Sequence, residues 1–335
     1  MSEGPVTLGA HVLAEARRRD NADTDLVLLM QQLDYAAKVI ARETRRAALV
    51  GRLGLVGDRN ATGDAQKKMD VFANEVFLDA FSTPGLVAGV VSEEEEHLSH
   101  TPGSGEASYF VCTDPIDGSS NSDVNGAVGT IFAFFRRLRA GPAADPDEEL
   151  FEHTELAAAG YVMYGPSTIL VYSAGSGVSG FTLDHDLGAF LLSHEDIRCP
   201  ERGAIYSANL GHHHEWEPGI RDFVAHVTEE DGGSRRPYSL RYTGALVADL
   251  HRSLIEGGVY FYPADASHRE GKLRLLYECA PLAFVMEQAG GRASDGRRRI
   301  LDIPRRALHQ RVPLVIGSRE EVALYESFLD GGGRT

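Results

Sequence analysis

YFVCTDPIDGSSNSD, residues 109–123, passes from an apolar strand-like run to two aspartates and then to residues that open a helix. Asp114 and Asp117 flank a Pro-Ile pair. Like charges held this close raise each other's pKa, so the arrangement is costly unless something offsets it. Pro115 fixes its own φ and restrains Asp114 to extended backbone. Both carboxylates can then point one way, with the Ile116 carbonyl as a third oxygen. Gly118-Ser119-Ser120 follows as a helix N-terminus, whose backbone N–H groups suit phosphate.

More acidic residues stand where apolar runs end. Glu93–Glu96 follow LVAGVV (86–91). Glu278 lies in KLRLLYECAPLAF, flanked by apolar residues, and Asp64 and Asp70 lie in TGDAQKKMD. Each stretch alone also has an ordinary structural use: a turn, a solvated charge run, an ion-pair partner, a helix cap. Together, seven carboxylates from four segments cannot gather unneutralised: Asp64, Asp70, Glu93, Glu94, Asp114, Asp117 and Glu278. Divalent cations solve this, and oxygen-only donors favour Mg²⁺ or Mn²⁺ over zinc. Metals beside a phosphate pocket point to metal-assisted phosphoryl transfer to water.

The surrounding chain fits a mixed α/β (α+β) protein of two sheet-containing halves, 1–198 and 199–335. Residues 25–50 read as one amphipathic helix, capped by Asp23 or Asp25 and ended by Gly51. A glycine-rich, mobile loop follows, then a helix over 68–81. Strand-like runs occupy 86–91, 109–113, 128–135, 158–164, 167–173 and 180–184. Beyond Cys199-Pro200 strands and helices alternate, with helices at 218–230, 244–256 and 274–289. The last helix opens on Ser318-Arg-Glu-Glu321, a capping-box pattern.

Of the 335 residues, 43% are hydrophobic and the net charge is -16. Such a chain can bury a core, and its charge disfavours nucleic acid and anionic membranes as partners. Lysine occurs only at 38, 67, 68 and 272. An acidic, lysine-poor surface suits a salt-rich cytoplasm; a GC-rich genome, which favours arginine codons, is the plainer explanation. The three cysteines cannot all pair with one another, which fits a reducing cytoplasm. No apolar run reaches the ~20 residues of a membrane span, and the N-terminus lacks signal-peptide features.

Several longer stretches also stand out in order: TGDAQKKMDV, VVSEEEE, TDPIDGSSNSD, RYTGALVADLHRSL, YPAD, GKLRLLYECAPLAFVMEQAGG and LDIPRRALHQRVPLVIGS. In these the chain resembles the class I fructose-1,6-bisphosphatases, within the inositol-monophosphatase-like superfamily. DPIDGSS marks the superfamily; the run from Arg241 to Gly291 marks the bisphosphatase branch. The resemblance implies a layered α-β-α-β-α sugar-phosphatase fold. It also implies Mg²⁺-dependent hydrolysis of the 1-phosphate of fructose 1,6-bisphosphate, in gluconeogenesis or Calvin-type carbon metabolism. Glu93, Asp114, Asp117, Glu278 and the Ile116 carbonyl would hold the metals, with Asp64 joining when its loop closes. Asp70 and Glu94 would take a proton from the attacking water. Gly118, Ser119 and Ser120 would hold the 1-phosphate, and Arg274 would sit near the metals. Asn209, Tyr242, Tyr262 and Lys272 look like the sugar and 6-phosphate ligands. Arg241 looks like the arginine given across a subunit boundary, which implies a homo-oligomer, usually a tetramer.

The chain departs from the family pattern in places. The usual Asn-Glu-Gly-Tyr is Asn209-Leu210-Gly211-His212. His212 can stand in for the tyrosine. The run His212-His213-His214 reads as a solvated loop, since adjacent side chains diverge. The AMP-loop region reads Asn21-Ala22-Asp23-Thr24-Asp25, and its Lys-Tyr partner is Ser108-Tyr109, so AMP inhibition by that route is not expected. Two other readings stay open: a relative acting on sedoheptulose 1,7-bisphosphate or an inositol monophosphate, and a non-catalytic phosphosugar or metal sensor.

Overall fold

Helices form where apolar residues recur every three or four positions; strands form where they run unbroken or alternate. The computed structural model describes residues 4–18, 23–60, 63, 65–83, 85–101, 104–139, 141, 145–232 and 235–331. Helices α1 (Leu8–Arg18) and α2 (Thr24–Thr44) come first. A short hairpin, β1 (Leu55–Arg59) and β2 (Ala65–Lys67), leads into α3 (Lys68–Ala80). Next come β3 (Val87–Ser92), β4 (Ser99–His100), β5 (Tyr109–Asp117) and β6 (Val128–Arg137). After α4 (Pro146–Glu152) follow β7 (Thr154–Tyr164), β8 (Thr168–Ser173), β9 (Ser179–Asp184) and β10 (Ala189–His194). These last eight strands make one sheet, ordered β10-β9-β8-β7-β6-β5-β3-β4 and antiparallel except for the β3–β5 pair.

The second half holds β11 (Ile205–Ser207), α5 (Pro218–Thr228), β12 (Ser239–Leu240), α6 (Leu246–Glu256), β13 (Val259–Tyr262) and β14 (Leu273–Arg274). It continues with α7 (Ala280–Gln288), β15 (Arg292–Ser294), β16 (Arg311–Val312), β17 (Leu314–Gly317) and α8 (Arg319–Leu329). Its main sheet runs β12-β11-β13-β17-β15.

Alternation along single strands shows the layering. On β6, Phe132 and Phe134 pack with Leu29, Leu33 and Phe77 of the N-terminal helices, whereas Ile131 faces Val247 and Leu282 of α6 and α7. On β13, Tyr260 joins that same middle layer, whereas Val259 and Phe261 pack against Phe223 of α5 and Tyr325 of α8. The order is therefore helices, sheet, helices, sheet, helices. The expected α-β-α-β-α architecture is present. Among the described residues no helix is long and apolar enough to cross a membrane.

The local differences from the sequence reading have physical causes. Asp23 does cap α2, its Oδ1 accepting from the Leu26 amide at 3.1 Å. The helix stops at Thr44 rather than Gly51, because Arg42 to Arg46 leaves no apolar face to bury. The capping box at Ser318 is not made. The Ser318 hydroxyl donates to the Pro200 carbonyl at 2.6 Å and accepts from the Gly258 amide, and the Glu321 carboxylate serves Tyr238 and Gly203 instead. The expected helix over 274–289 begins as a π-turn at Leu275–Cys279, and α7 starts only at Ala280. Pro281 has no amide hydrogen to continue an α-helical ladder back into that turn. The strand expected at AIYSAN is present as β11, whereas β10, β15 and the two-residue strands of the second half escape a reading by alternation, being at an edge or too short to show a period.

Candidate active site

The acidic cluster begins at one edge of the large sheet. β3 and β5 run parallel, with Ser92 beside Thr113. The Glu93 amide extends that ladder to the Thr113 carbonyl at 3.2 Å. Glu93 and Asp114 thus leave neighbouring strands side by side. A register shift between Asp114 and Asp117 keeps β5 paired with β6 while turning the Asp-Pro-Ile-Asp segment. Thr130 fixes that turn by donating to the Pro115 carbonyl at 2.7 Å. Glu278 arrives from the π-turn, its carboxylate accepting from the Arg274 amide. Arg274, itself buried, places a guanidinium nitrogen 3.7 Å from Glu93. Asp70 sits at the third position of α3 and accepts from the Lys67 amide at 2.8 Å. Glu94 accepts from Gln66 at 2.5 Å. Asp70, Asp114, Asp117 and Glu278 are all at most 7% exposed.

Burying so many acids in one place makes their ionisation costly. Burial first, then Glu93, Asp117 and Glu278, raise the Asp114 carboxyl far above the usual range. Asp117 is pushed up to about 7 by burial, although the amides of Val247 and Leu246 donate to it at 2.7 and 3.1 Å and pull the other way. Asp70 is likewise raised to about 7, by burial and then by Glu94, against the Lys67 amide and Ser119.

A tight glycine turn adjoins these acids. Gly118 takes a left-handed φ of 70°, and a Cβ there would lie 2.5 Å from the Ala245 side chain, so only glycine fits. This close approach brings the α6 N-terminus against the turn. Ser119 and Ser120 open a 3₁₀ turn over Ser119–Val124, and the first amides of such a turn have no partner within it. Lys67 holds the turn to α3 through Asp123 at 2.7 Å, and Asp123 also takes the Gly54 amide at 2.9 Å.

One cleft of about 570 Å³ joins both features to the second half of the chain. Its acidic end is lined by Asp70, Glu93, Glu94, Asp114, Ile116, Asp117 and Glu278, with Gly118, Ser119 and Ser120 beside them. Its other end is lined by Asn209, Tyr242, Tyr262 and Lys272, while Arg274 lines it beside Glu93 and Glu278. Asn209 caps a 3₁₀ turn at Leu210–Glu215, and Tyr262 ends β13. His212 lines the cleft too, at the place of the missing family tyrosine. Arg241 is exposed, outside this lining, and donates to the Leu240 carbonyl at 2.8 Å. Asp64 lies outside the described residues. Asn21 and Ala22 do as well; Asp25 accepts from Ser108 at 2.9 Å, and Asp23 accepts from the Tyr109 hydroxyl.

Residue-by-residue reading missed Gln66 and Lys67, which reach the cleft from inside the TGDAQKKMD stretch. It also missed Asp249, buried on α6, whose two oxygens take the Thr243 amide at 3.0 and 3.1 Å and so shape the loop that carries Tyr242. The signal was present: a lone acid in the apolar run ALVADL.

Comparison with known proteins agrees with this geometry. The model of the fructose-1-6-bisphosphatase N-terminal domain matches residues 6–195, and that of the C-terminal domain matches 199–330. A class 1 fructose-1,6-bisphosphatase of Acaryochloris marina is 54% identical over 98% of both chains. One from Chloroherpeton thalassium is 47% identical over 97% of this chain and 94% of its own. The crystal structure of Leishmania major fructose-1,6-bisphosphatase in its holo form superposes with a TM-score of 0.90 at 38% identity, covering 98% of this chain and all of that one. A cluster of acids, a tight glycine turn beside it and full-length likeness in both sequence and fold lead to one conclusion: the chain belongs to the class 1 fructose-1,6-bisphosphatase family of hydrolases.

Proposed function

We propose that the chain removes the 1-phosphate of fructose 1,6-bisphosphate, giving fructose 6-phosphate and phosphate. The observation that carries this is the single cleft, with buried acids and the 118–120 turn at one end and Lys272, Tyr262, Tyr242 and Asn209 at the other. A bisphosphate needs both ends; a monophosphate needs one.

The donor set fits hard divalent cations. It is all oxygen, and burial, with neighbouring carboxylates, makes negative charge costly on Asp114 and Asp117, a cost that a bound divalent cation would offset. Glu93, Asp114, Asp117, Glu278 and the Ile116 carbonyl would hold Mg²⁺, or Mn²⁺, with Asp64 as an added ligand. Bound there, the ions supply neutralisation of the phosphoryl oxygens and activation of water. The remaining work falls to the chain itself. The amides of Ser119 and Ser120 orient the 1-phosphate against the acids. Asp70, raised to about 7, can take a proton from the attacking water near neutral pH, with Glu94 alongside sharing it. Lys272 neutralises the distal phosphate, and Tyr242, Tyr262 and Asn209 fix the sugar. Arg241 faces away from its own cleft, which suits delivery to a neighbouring subunit in a homotetramer. Three buried free cysteines suit a reducing cytoplasm, and the substrate itself suits a place in carbohydrate metabolism, gluconeogenic or Calvin-type.

Phosphate release in Mg²⁺ tests this against the alternatives. Fructose 1,6-bisphosphate should be cleaved with at least tenfold higher kcat/KM than fructose 1-phosphate or inositol 1-phosphate. Equal rates on mono- and bisphosphates would contradict the two-ended cleft, and a preference for sedoheptulose 1,7-bisphosphate would transfer the assignment to that substrate.

A further inference from the structure

The structure assigns a second, chemically different metal site to the far wall of the cleft. His212, Glu215 and Asp265 each bring one ligating atom to within 4.8 Å of the other two. They come from two separate segments, the 3₁₀ turn at Leu210–Glu215 and the loop after β13, so the meeting is tertiary and not a run of neighbours. Within the histidine run, His212 is the member with a ring nitrogen within 4.8 Å of both Glu215 and Asp265. His213 stacks edge-on against Trp216 at 5.6 Å, and the His214 side chain is 76% exposed, its Nε2 3.4 Å from Glu215. Asp265 is held in place: the amides of Ser267 and His268 donate to its Oδ1 at 2.9 and 2.6 Å, and its own side chain is only 2% exposed. The Glu215 carboxylate also accepts from Ser267 at 3.3 Å, which ties the two segments together.

The donor set decides the ion. One imidazole nitrogen and two carboxylates suit Zn²⁺ and similar first-row divalents, whereas Mg²⁺ prefers oxygen alone. Tetrahedral ligands of zinc lie roughly 3.3 Å apart, given Zn–N and Zn–O distances of ~2.0–2.1 Å. His212 Nδ1 and Glu215 Oε1, at 4.0 Å, need only a small side-chain rotation to close on an ion. Three protein ligands leave a fourth position for water. His212 lines the substrate cleft, while Glu215 and Asp265 line a separate recess of about 500 Å³, so the ion would sit in the partition between them. Occupancy would pin the turn that carries Asn209 to the loop that follows Tyr262.

Zn²⁺ titration by calorimetry tests this in the full chain carrying Asp114→Asn, with Mg²⁺ present, so that the acidic cluster does not dominate the signal. One Zn²⁺ per chain should bind. Adding His212→Ala or Glu215→Gln should weaken it at least tenfold, whereas His213→Ala and His214→Ala should not. Glu215→Gln keeps a hydrogen-bonding group for Ser267, so its melting temperature without zinc should match the parent. X-ray absorption at the zinc edge should show one imidazole in an otherwise oxygen shell. Unchanged affinity in both His212→Ala and Glu215→Gln would overturn the site. Loss of binding on His213→Ala or His214→Ala instead would overturn it equally, because the exposed run would then be the ligand.

Discussion

The two ends of the cleft are built on different principles. At the acidic end the side chains leave strand ends, a π-turn and the first turn of a helix; Asp70, Asp114, Asp117 and Glu278 are almost fully buried, Glu93 and Glu94 partly so. Their positions are set by backbone that has little freedom to move. At the distal end Tyr242 is 37% exposed, Lys272 and Tyr262 are half-buried, and all hang from loops or strand termini. The chemistry is thus fixed by the core of the fold, and substrate choice is left to surface that can change without unfolding anything. The acidic end also stores repulsion that the distal end does not, since only there is like charge crowded out of water.

The largest effect should come from breaking the acidic end. Asp114→Asn leaves a side chain of the same shape but removes a charge that the metals need. Turnover should fall on the order of 10³-fold or more, with KM for the bisphosphate little changed. Steady-state kinetics at saturating Mg²⁺ would show it; a loss below tenfold would take Asp114 out of the metal set.

Next comes stability. In the metal-free chain Asp70 and Asp117 have pKa values near 7, and Asp114 is raised as well, against about 4 when unfolded. The folded state therefore binds more protons between pH 4 and pH 7, and stability falls as pH rises through that window. Calorimetry in EDTA should give a lower Tm at pH 8 than at pH 6. Mg²⁺ should raise Tm more at pH 8 than at pH 6, since it replaces the missing protons. A pH-independent Mg²⁺ effect would mean the ion binds away from these acids.

At the distal end the effects shrink. Lys272→Ala should raise KM for fructose 1,6-bisphosphate about 10- to 100-fold, as one charged hydrogen bond is worth about 1.5–3 kcal/mol. Its rate on a monophosphate should barely move. Arg241→Ala should raise KM roughly fivefold or less, through a partly solvated contact. That increase should vanish on dilution to monomers, if the arginine acts across a subunit boundary. Smallest of all, AMP should change the rate less than twofold. Asp23 and Asp25 already engage Tyr109 and Ser108, and their negative charge disfavours a phosphate nearby.

The same contrast explains what could be read beforehand. Asp114, Asp117 and Glu93 were legible because each closes an apolar strand, and Glu278 because it stands alone in an apolar run. The five-layer order was legible through the family likeness, since alternation alone cannot say which face of β6 meets which helices. The π-turn was not legible: its period differs from an α-helix over only five residues, Leu275–Cys279. Ser318 and Glu321 carry the letters of a capping box but are drawn away by Pro200, Tyr238 and Gly203, partners distant in sequence. The approach of His212 to Asp265 was not legible, because Asp265 comes from a different loop. Where local chemistry decides, the sequence suffices; where a long-range neighbour wins, it does not.

The central claim is that acids from separate segments hold divalent ions beside the 118–120 turn. Crystals soaked with Mn²⁺ and fructose 1,6-bisphosphate, with data collected for manganese anomalous scattering, address it directly. The account predicts anomalous peaks among Glu93, Asp114, Asp117 and Glu278, with one phosphate on Ser119 and Ser120 and the other near Lys272. Peaks confined to other sites, or a phosphate bound with no manganese next to it, would contradict it.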